Sequence, residues 1–587
     1  MTHHYTVLFG GTVLTFEAAL PTDAASRVDA ATRAAGTGVP DAAGRRATAL
    51  CYAHERILAV GSDEEMLALA GPDSMVVDLR GRAVLPGFVE PHAHPYWEGF
   101  VAGMALVGGR ERRVAIRGIP GATEHLDPDA WLVARYDPTG WDRPDDPTRD
   151  DLDRAVPDRP VLLAHVSGHA VTANSLALAL AGVDAAMPDT PGRFLVERDA
   201  VGEPTGIVRG PDAWDRIAAA MPAPTAAEGR AALARAAARL AADGVTSVAD
   251  ADVGSTSGVA PEMAAWGDAL AAGAMPLAVS LMPGLARIAA NAGDPVPSPA
   301  DLAALLPDDV RDQVRLTHVK LKADGALTTR TAWLRDPYDD APHAGGPVHD
   351  SAALAERIRR AAAAGWACAT HAIGDAAVVA VLDAYAAAPA PHAGGGTPAP
   401  SGTPAPPAAP APAGTRAPAG TAHRIEHAML LDEALVARLA AAGVTAVVQP
   451  EFLAWAGPTY RARLGEERAA RLLPFSALLA AGIPTAFSSD RPVVPGAPLA
   501  GVRAALRHDP QLSAAEALHA WTVAGAVALG DDDAGCLAVG RRTDLVILSG
   551  DPTAVPREAW ARGEDGIRVE ATVAAGHVVH GALGWER

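Results

Sequence analysis

His92 and His94 sit two residues apart in the run VLPGFVEPHAH, directly after an apolar, strand-like stretch. In an extended segment, positions i and i+2 project to the same side, so both imidazoles reach a single metal ion. His-X-His alone is a common pattern, and its weight comes from residues further along the chain. VKLKADG carries Lys320, Lys322 and Asp324; THAIGD carries His371 and Asp375; RIEHAML carries Glu426 and His427; SSDRPV carries Asp490. Imidazoles, carboxylates and a lysine at the ends of successive strand-like runs are the groups that a divalent cation and a hydrolytic water require. Histidines placed independently in a core would not fall so regularly.

Such residues need a scaffold that gathers strand ends. Eight strand candidates span 83–88, 245–249, 277–281, 314–321, 367–370, 423–425, 444–448 and 485–487, alternating with Ala-rich helical segments such as 226–242 and 352–364. Repeated β–α units in that number predict an α/β chain with a (β/α)8, TIM-like barrel over 83–532, whose catalytic groups come from the C-terminal ends of the strands. The interval between the first two strands is too long for one helix. Residues 99–243 therefore read as an insertion on the catalytic face, with an apolar run of its own at 160–164. Short β-type runs return at both ends, at 5–9, 12–16, 48–52, 57–60 and 75–77, then at 536–539, 545–548, 567–574 and 577–579. They predict one composite β-sandwich domain built from 1–82 and 533–587. Residues 17–46 read as a surface loop. The Pro, Ala, Gly and Thr tract 387–422 cannot bury a core and reads as a disordered or PPII-like loop on the face away from the site.

Composition narrows the classes. The 587 residues are 49% hydrophobic and 20% charged, which suits a folded, soluble chain. A net charge of −20 argues against broad binding to nucleic acid or to an anionic membrane surface. Three scattered cysteines, Cys51, Cys368 and Cys536, make neither a disulfide framework nor a thiolate zinc site. With no apolar run near the roughly 20 residues that span a bilayer, the expectation is a cytoplasmic protein.

The order His-X-His, Lys, His, His, Asp on strands one, four, five, six and eight resembles the amidohydrolase superfamily of metal-dependent hydrolases. The phrasing GHAVTANSLAL, GEPTG, GVTSVAD, VVQPEF, LSAAEALHAWT and DLVILSGDP is similar to the amidohydrolase family 3 branch that includes N-substituted formamide deformylase. The resemblance implies a metal-activated water that cleaves a non-peptide C–N bond of a small-molecule amide. By position it implies His92, His94 and Asp490 on one divalent ion, with His371 and His427 on a second. Zinc is the first choice, and iron or manganese suits the same donors. Lys320 is implied as a carboxylated lysine bridging the ions, or as an unmodified amine paired with Asp324 beside a single ion. Asp490 is implied as the proton shuttle.

His169, in GHAVTAN, is either a substrate-pocket residue or a structural histidine capping the next helix. Lys322 lies on the Lys320 side of a regular strand, where relatives carry a large apolar residue, and either perturbs Lys320 or offers a competing amine. Glu426 and Asp375 neighbour the candidate ligands and are candidate orienters of the imidazoles, with structural hydrogen bonding the equal alternative for Asp375. Glu90 stands where an Asp commonly precedes His-X-His. Cyclic-amide hydrolysis and heterocycle deamination are the enzyme alternatives, and a non-catalytic barrel scaffold is the alternative from another class. Homo-oligomerisation stays open.

Overall fold

The computed structural model describes residues 5–17, 44–108, 110–119, 131–138, 141–142, 145–166, 170–190, 194–210, 212–291, 293–389 and 422–584. The fold is α/β, with parallel and mixed sheets. Strand one, Phe88–Ala93, pairs in parallel with strand two, Val245–Val253, which pairs in turn with strand three, Ala278–Pro283. Strand three continues onto Val314–Arg315; after Leu316 and Thr317 the chain resumes as His318–Lys322, and the two pieces together are strand four. A second all-parallel sheet runs from His318–Lys322 through strand five, Ala367–Ala372, strand six, Arg424–His427, strand seven, Thr445–Val448, and strand eight, Thr485–Phe487.

The two sheets touch at both margins. On one side Gly284 and Lys320 form a parallel bridge. On the other, the Asp490 N–H donates to the His92 carbonyl and the His94 N–H to the Arg491 carbonyl, each at 2.9 Å. These strands are almost wholly buried, because helices pack against them. Helix Ala226–Ala242 starts at a capping box, in which Thr225 accepts the Glu228 N–H and the Glu228 side chain returns to the Thr225 N–H. Its buried face, Leu233, Ala237 and Leu240, joins the same apolar core as Trp266, Trp366 and Trp521.

Strands from both chain ends share one six-stranded sheet, in which Leu545–Leu548 lies between Ala83–Pro86 and Val569–Ala574. This corrects the expected first strand at 83–88: Ala83–Pro86 pairs with the terminal strands, and the parallel strand begins at Phe88. A single apolar run, Ala83 to Val89, thus serves two sheets, and the break falls at Gly87, where an added Cβ would lie 2.2 Å from the Thr246 hydroxyl. The expected strand at 536–539 is irregular backbone, its apolar residues Cys536 and Leu537 buried without pairing as a strand. The expected loop 17–46 ends early, since Arg46–Ala47 pairs with Thr12–Leu14; residues 18–43 lie outside the described residues. So does the Pro/Ala tract from 390 to 421. Within 99–243 a separate mixed sheet of six strands forms, including Leu132–Tyr136 and Val161–His165. Among the described residues no helix is long and apolar enough to cross a membrane.

Candidate metal centre

The alternation of an extended backbone sets the first ligand positions. On strand four, Val319 and Leu321 face the apolar core, while Lys320 and Lys322 line a cavity at the strand ends. His92 and His94 line the same cavity from strand one, His371 from strand five, His427 from strand six and Asp490 from the loop after strand eight. All six residues expected from the sequence as ligands or catalytic groups therefore converge. His169 lies outside the described residues.

The donor atoms cluster closely. His92, His94 and Asp490 each offer one ligand atom, all within 4.8 Å of one another. Asp490 Oδ1 lies 3.1 Å from His94 Nε2 and 3.4 Å from His92 Nε2, and Lys320 Nζ lies 3.1 Å from His92 Nε2. The His371 and His427 rings are 4.3 Å apart, and the His92 and His427 rings 5.1 Å. His427 and Asp490 both hold left-handed backbone, at φ 73° and 59°, a conformation costly for residues with a Cβ. Both present a side chain to the cavity.

Hydrogen bonds fix which ring nitrogen bears the proton. His92 Nδ1 faces the Glu426 carboxylate, so its proton sits there and the Nε2 lone pair points to the cavity. His427 Nδ1 donates to Gln449 Oε1 at 2.7 Å, and Gln449 Nε2 donates to the Ser488 hydroxyl at 2.8 Å. His371 Nε2 donates to the Gly325 carbonyl at 3.0 Å, which leaves Nδ1 as its lone-pair nitrogen. Burial pushes the His427 pKa down to about 3 and carries His371 well below the usual imidazole range, helped by His427 and Lys320. These rings remain neutral, as ligation requires.

The carboxylates answer in the opposite sense. Burial alone would raise Glu426, but Arg424 and His92 outweigh it and hold its carboxyl well below the usual range. Burial likewise opposes ionisation of Asp490, and His92 and His94 reverse it. Lys320 is pushed down to about 8, mainly by burial. Asp324 does not serve Lys320 as an ion-pair partner. Its carboxylate accepts the backbone N–H groups of Trp333, Ile373 and Gly374 at 2.8–3.0 Å and lies 3.5 Å from His371 Nε2.

The supporting residues divide among the alternatives the sequence left open. Glu426 orients His92 across the cavity, not its neighbour His427. Glu90 accepts the His92 N–H, the Ser489 N–H and the Ser489 hydroxyl, tying strand one to the loop that carries Asp490. Asp375 accepts the Arg335 and Ala376 N–H groups and is structural. Lys322 reaches Asp252 Oδ2 at 3.0 Å and, as a neighbouring cation, helps to lower the Lys320 pKa, the perturbation expected of it. Gln449 carried no expectation, although its place just beyond strand seven is the position at which the other strands present their functional groups.

A model of the amidohydrolase family matches residues 75–580. The chain belongs to the amidohydrolase family. This amidohydrolase is a hydrolase acting on carbon–nitrogen bonds other than peptide bonds. It is 29% identical over 554 residues to YtcJ of Bacillus subtilis, itself named as an amidohydrolase, covering 89% of this chain and 94% of that one. An N-substituted formamide deformylase from Arthrobacter pascens is 26% identical over 552 residues, covering 87% and 92%. Among solved structures, an uncharacterized metal-dependent hydrolase from Pyrococcus furiosus superposes with a TM-score of 0.66 at 25% identity, covering 94% of this amidohydrolase and 100% of that chain.

Proposed function

We propose that this amidohydrolase hydrolyses the C–N bond of a small-molecule amide at a centre of one or two divalent ions, zinc first among them. We read His92, His94 and Asp490 as holding one ion, His371 and His427 a second, and Lys320 as the bridge. The observation that carries this reading is the convergence of four imidazoles from strands one, five and six, three with their protons tied to Glu426, Gln449 and Gly325 and their lone pairs left for the cavity. Bound there, divalent ions supply Lewis acidity, which acidifies water and polarises an amide carbonyl.

The chain's own residues do the rest. Lys320, buried with a lowered pKa, supplies the uncharged amine that takes up carbon dioxide: an N–C bond forms, one proton leaves, and the side chain becomes a carbamate. Asp490 Oδ1 accepts the proton of the attacking water and returns it to the departing nitrogen. Asp490 Oδ1 lies 3.4 Å from His92 Nε2 and 3.1 Å from His94 Nε2, so the three donors face one point in the cavity. Part of the same proposal is the closure of strands one to eight into one (β/α)8 barrel over 83–532. The insertion 99–243 then stands on its cavity side, and 1–82 with 533–587 forms the composite β-sandwich.

Similarity to the Arthrobacter deformylase makes an N-substituted formamide the first substrate to try. With zinc and bicarbonate supplied, formate release from N-alkyl and N-benzyl formamides is expected, and His94→Ala is expected to abolish it. Silence across that panel from metal-replete protein would contradict the formamide assignment.

A further inference from the structure

The residue after Asp490 is a buried cation outside the ligand set. Arg491 is 2% exposed, and its guanidinium meets three separate parts of the chain. Its Nη2 donates to Asp243 Oδ2 at 2.9 Å and to the Pro495 carbonyl at 3.1 Å, and its Nε lies 3.2 Å from Glu98 Oε1. Glu98 is equally buried on helix Pro95–Gly103, which begins directly after His94, and its N–H donates to the His94 carbonyl at 2.7 Å. Asp243 ends helix Ala226–Ala242, and Arg239 of that helix donates to Glu98 Oε1 at 3.0 Å. Two cations and two carboxylates therefore clamp the loop that carries Asp490 to the helix behind His94 and to the last helix of 99–243.

The Arg491 backbone belongs to the same clamp. Its N–H donates to the Ser489 hydroxyl at 3.2 Å, and its carbonyl accepts the His94 N–H at 2.9 Å. Around it the loop closes on itself: the Val493 N–H donates to the Asp490 carbonyl at 2.9 Å, and a Cβ on Gly496 would lie 2.7 Å from Ser489 Cβ and 2.9 Å from Arg491 Cβ. The Glu451 carboxylate accepts the Gly496 N–H at 2.8 Å. Asp490, at the head of this turn, holds φ 59°, a conformation that persists only where the surroundings over-determine it. Stability is a poor reason for these ions. Burying a charge pair costs desolvation that apolar packing avoids, and Arg491 Nε and Nη1 have no aligned hydrogen-bond partner among the described residues. What the arrangement supplies is direction.

We propose that Arg491 is the positioning residue of Asp490: its buried guanidinium, gripping Glu98, Asp243 and the Pro495 carbonyl, holds the loop after strand eight in the turn that aims the Asp490 carboxylate toward His92 and His94. The helix behind His94 and the Asp490 loop then move as one unit, so the distance between the two side chains is kept. What Asp490 does for the reaction rests on the amide-hydrolase reading; how it is held rests on the geometry of Arg491.

Hydrogen exchange reads the turn without metal or substrate. In Arg491→Met the amides of 489–496 are expected to exchange about tenfold faster than in the native chain, the equivalent of one lost charged hydrogen bond, while those of strands five to seven keep their rates. In zinc-loaded protein the same variant is expected to lower kcat on N-benzylformamide by about tenfold to a hundredfold with KM little changed, the cost of misplacing a reacting group by about 1 Å. The visible spectrum of the cobalt-substituted protein is expected to change with it. Arg491→Lys, which keeps a charge beside Glu98, is expected to recover part of each effect. Glu98→Gln removes the ion pair from the other side and decides the matter if Arg491→Met does not fold. Unchanged exchange over 489–496, or a rise spread evenly over the whole chain, overturns the proposal, as do native kcat and a native cobalt spectrum in a variant whose loop exchanges faster. If the native protein neither hydrolyses an amide nor binds cobalt, the reading of the centre fails, and the exchange rates alone decide whether Arg491 holds the turn.

Discussion

His92, His371 and His427 each have the roles of their ring nitrogens set by a partner one layer further out. Glu426 is the most consequential of these, because it is fully buried and bonds both His92 Nδ1 and Arg424. Glu426→Gln removes the charge that favours the Nδ1–H tautomer and leaves Arg424 facing a neutral amide. Metal affinity is expected to fall by about tenfold to a hundredfold, the usual cost of losing such a partner. Competition for zinc against a chelator measures it, and an unchanged affinity would remove Glu426 from the centre. At this scale residue type and spacing marked the strand ends as the place for a metal, and the family resemblance picked His92, His94, His371, His427 and Asp490 out of them as the candidate ligands, which the fold brings to one cavity. The supporters of these ligands could not be read this way. Glu426 stands next to His427 in the chain but serves His92, and only the folded arrangement of strands one and six decides between them.

Strands five and six are locked together by one side chain. The Tyr385 hydroxyl, on helix Asp375–Ala387, lies 2.9 Å from the Arg424 carbonyl, 3.2 Å from the Cys368 carbonyl and 2.7 Å from Thr370 Oγ1. Tyr385→Phe leaves buried carbonyls and a hydroxyl without that partner, and is expected to destabilise the chain by about 1–3 kcal/mol. A urea-unfolding midpoint identical to that of the native chain would show that the hydroxyl contributes nothing. Element boundaries were the part of the fold that sequence pattern resolved least well. An apolar run such as 83–89 has no periodicity that marks a change of sheet, and only the contact of Gly87 with Thr246 places it. Strand eight, flanked by Pro484 and the polar Ser488 and Ser489, has its expected bounds at Thr485–Phe487.

At the scale of the whole molecule, the sequence showed the α/β alternation and the β character of both ends, because both rest on simple periodicity. It did not show that the end strands share a six-stranded sheet through Ala83–Pro86, a pairing set by contacts more than 450 residues apart in the chain. Stability also has a global handle in His423, outside the ligand set. Burial lowers its pKa to about 4, and its Nδ1 accepts the Cys368 N–H at 3.0 Å, so the folded chain holds it neutral. Between about pH 6.5 and 4 the unfolded chain binds the extra proton, so this contribution is present above that window and lost as pH falls through it. The loss is roughly 3 kcal/mol at full titration. Urea unfolding of zinc-saturated protein at pH 7 and 5 is expected to show a smaller drop in His423→Gln than in the native chain; equal drops would contradict it. The central claim, a metal centre built on five imidazole and carboxylate ligands with Lys320 between them, is tested most directly by counting zinc. Elemental analysis of protein loaded with zinc and bicarbonate is expected to find two ions per chain, falling to one or none in Lys320→Ala and in His94→Ala. A folded native chain that retains no zinc, iron or manganese under those conditions would contradict that centre.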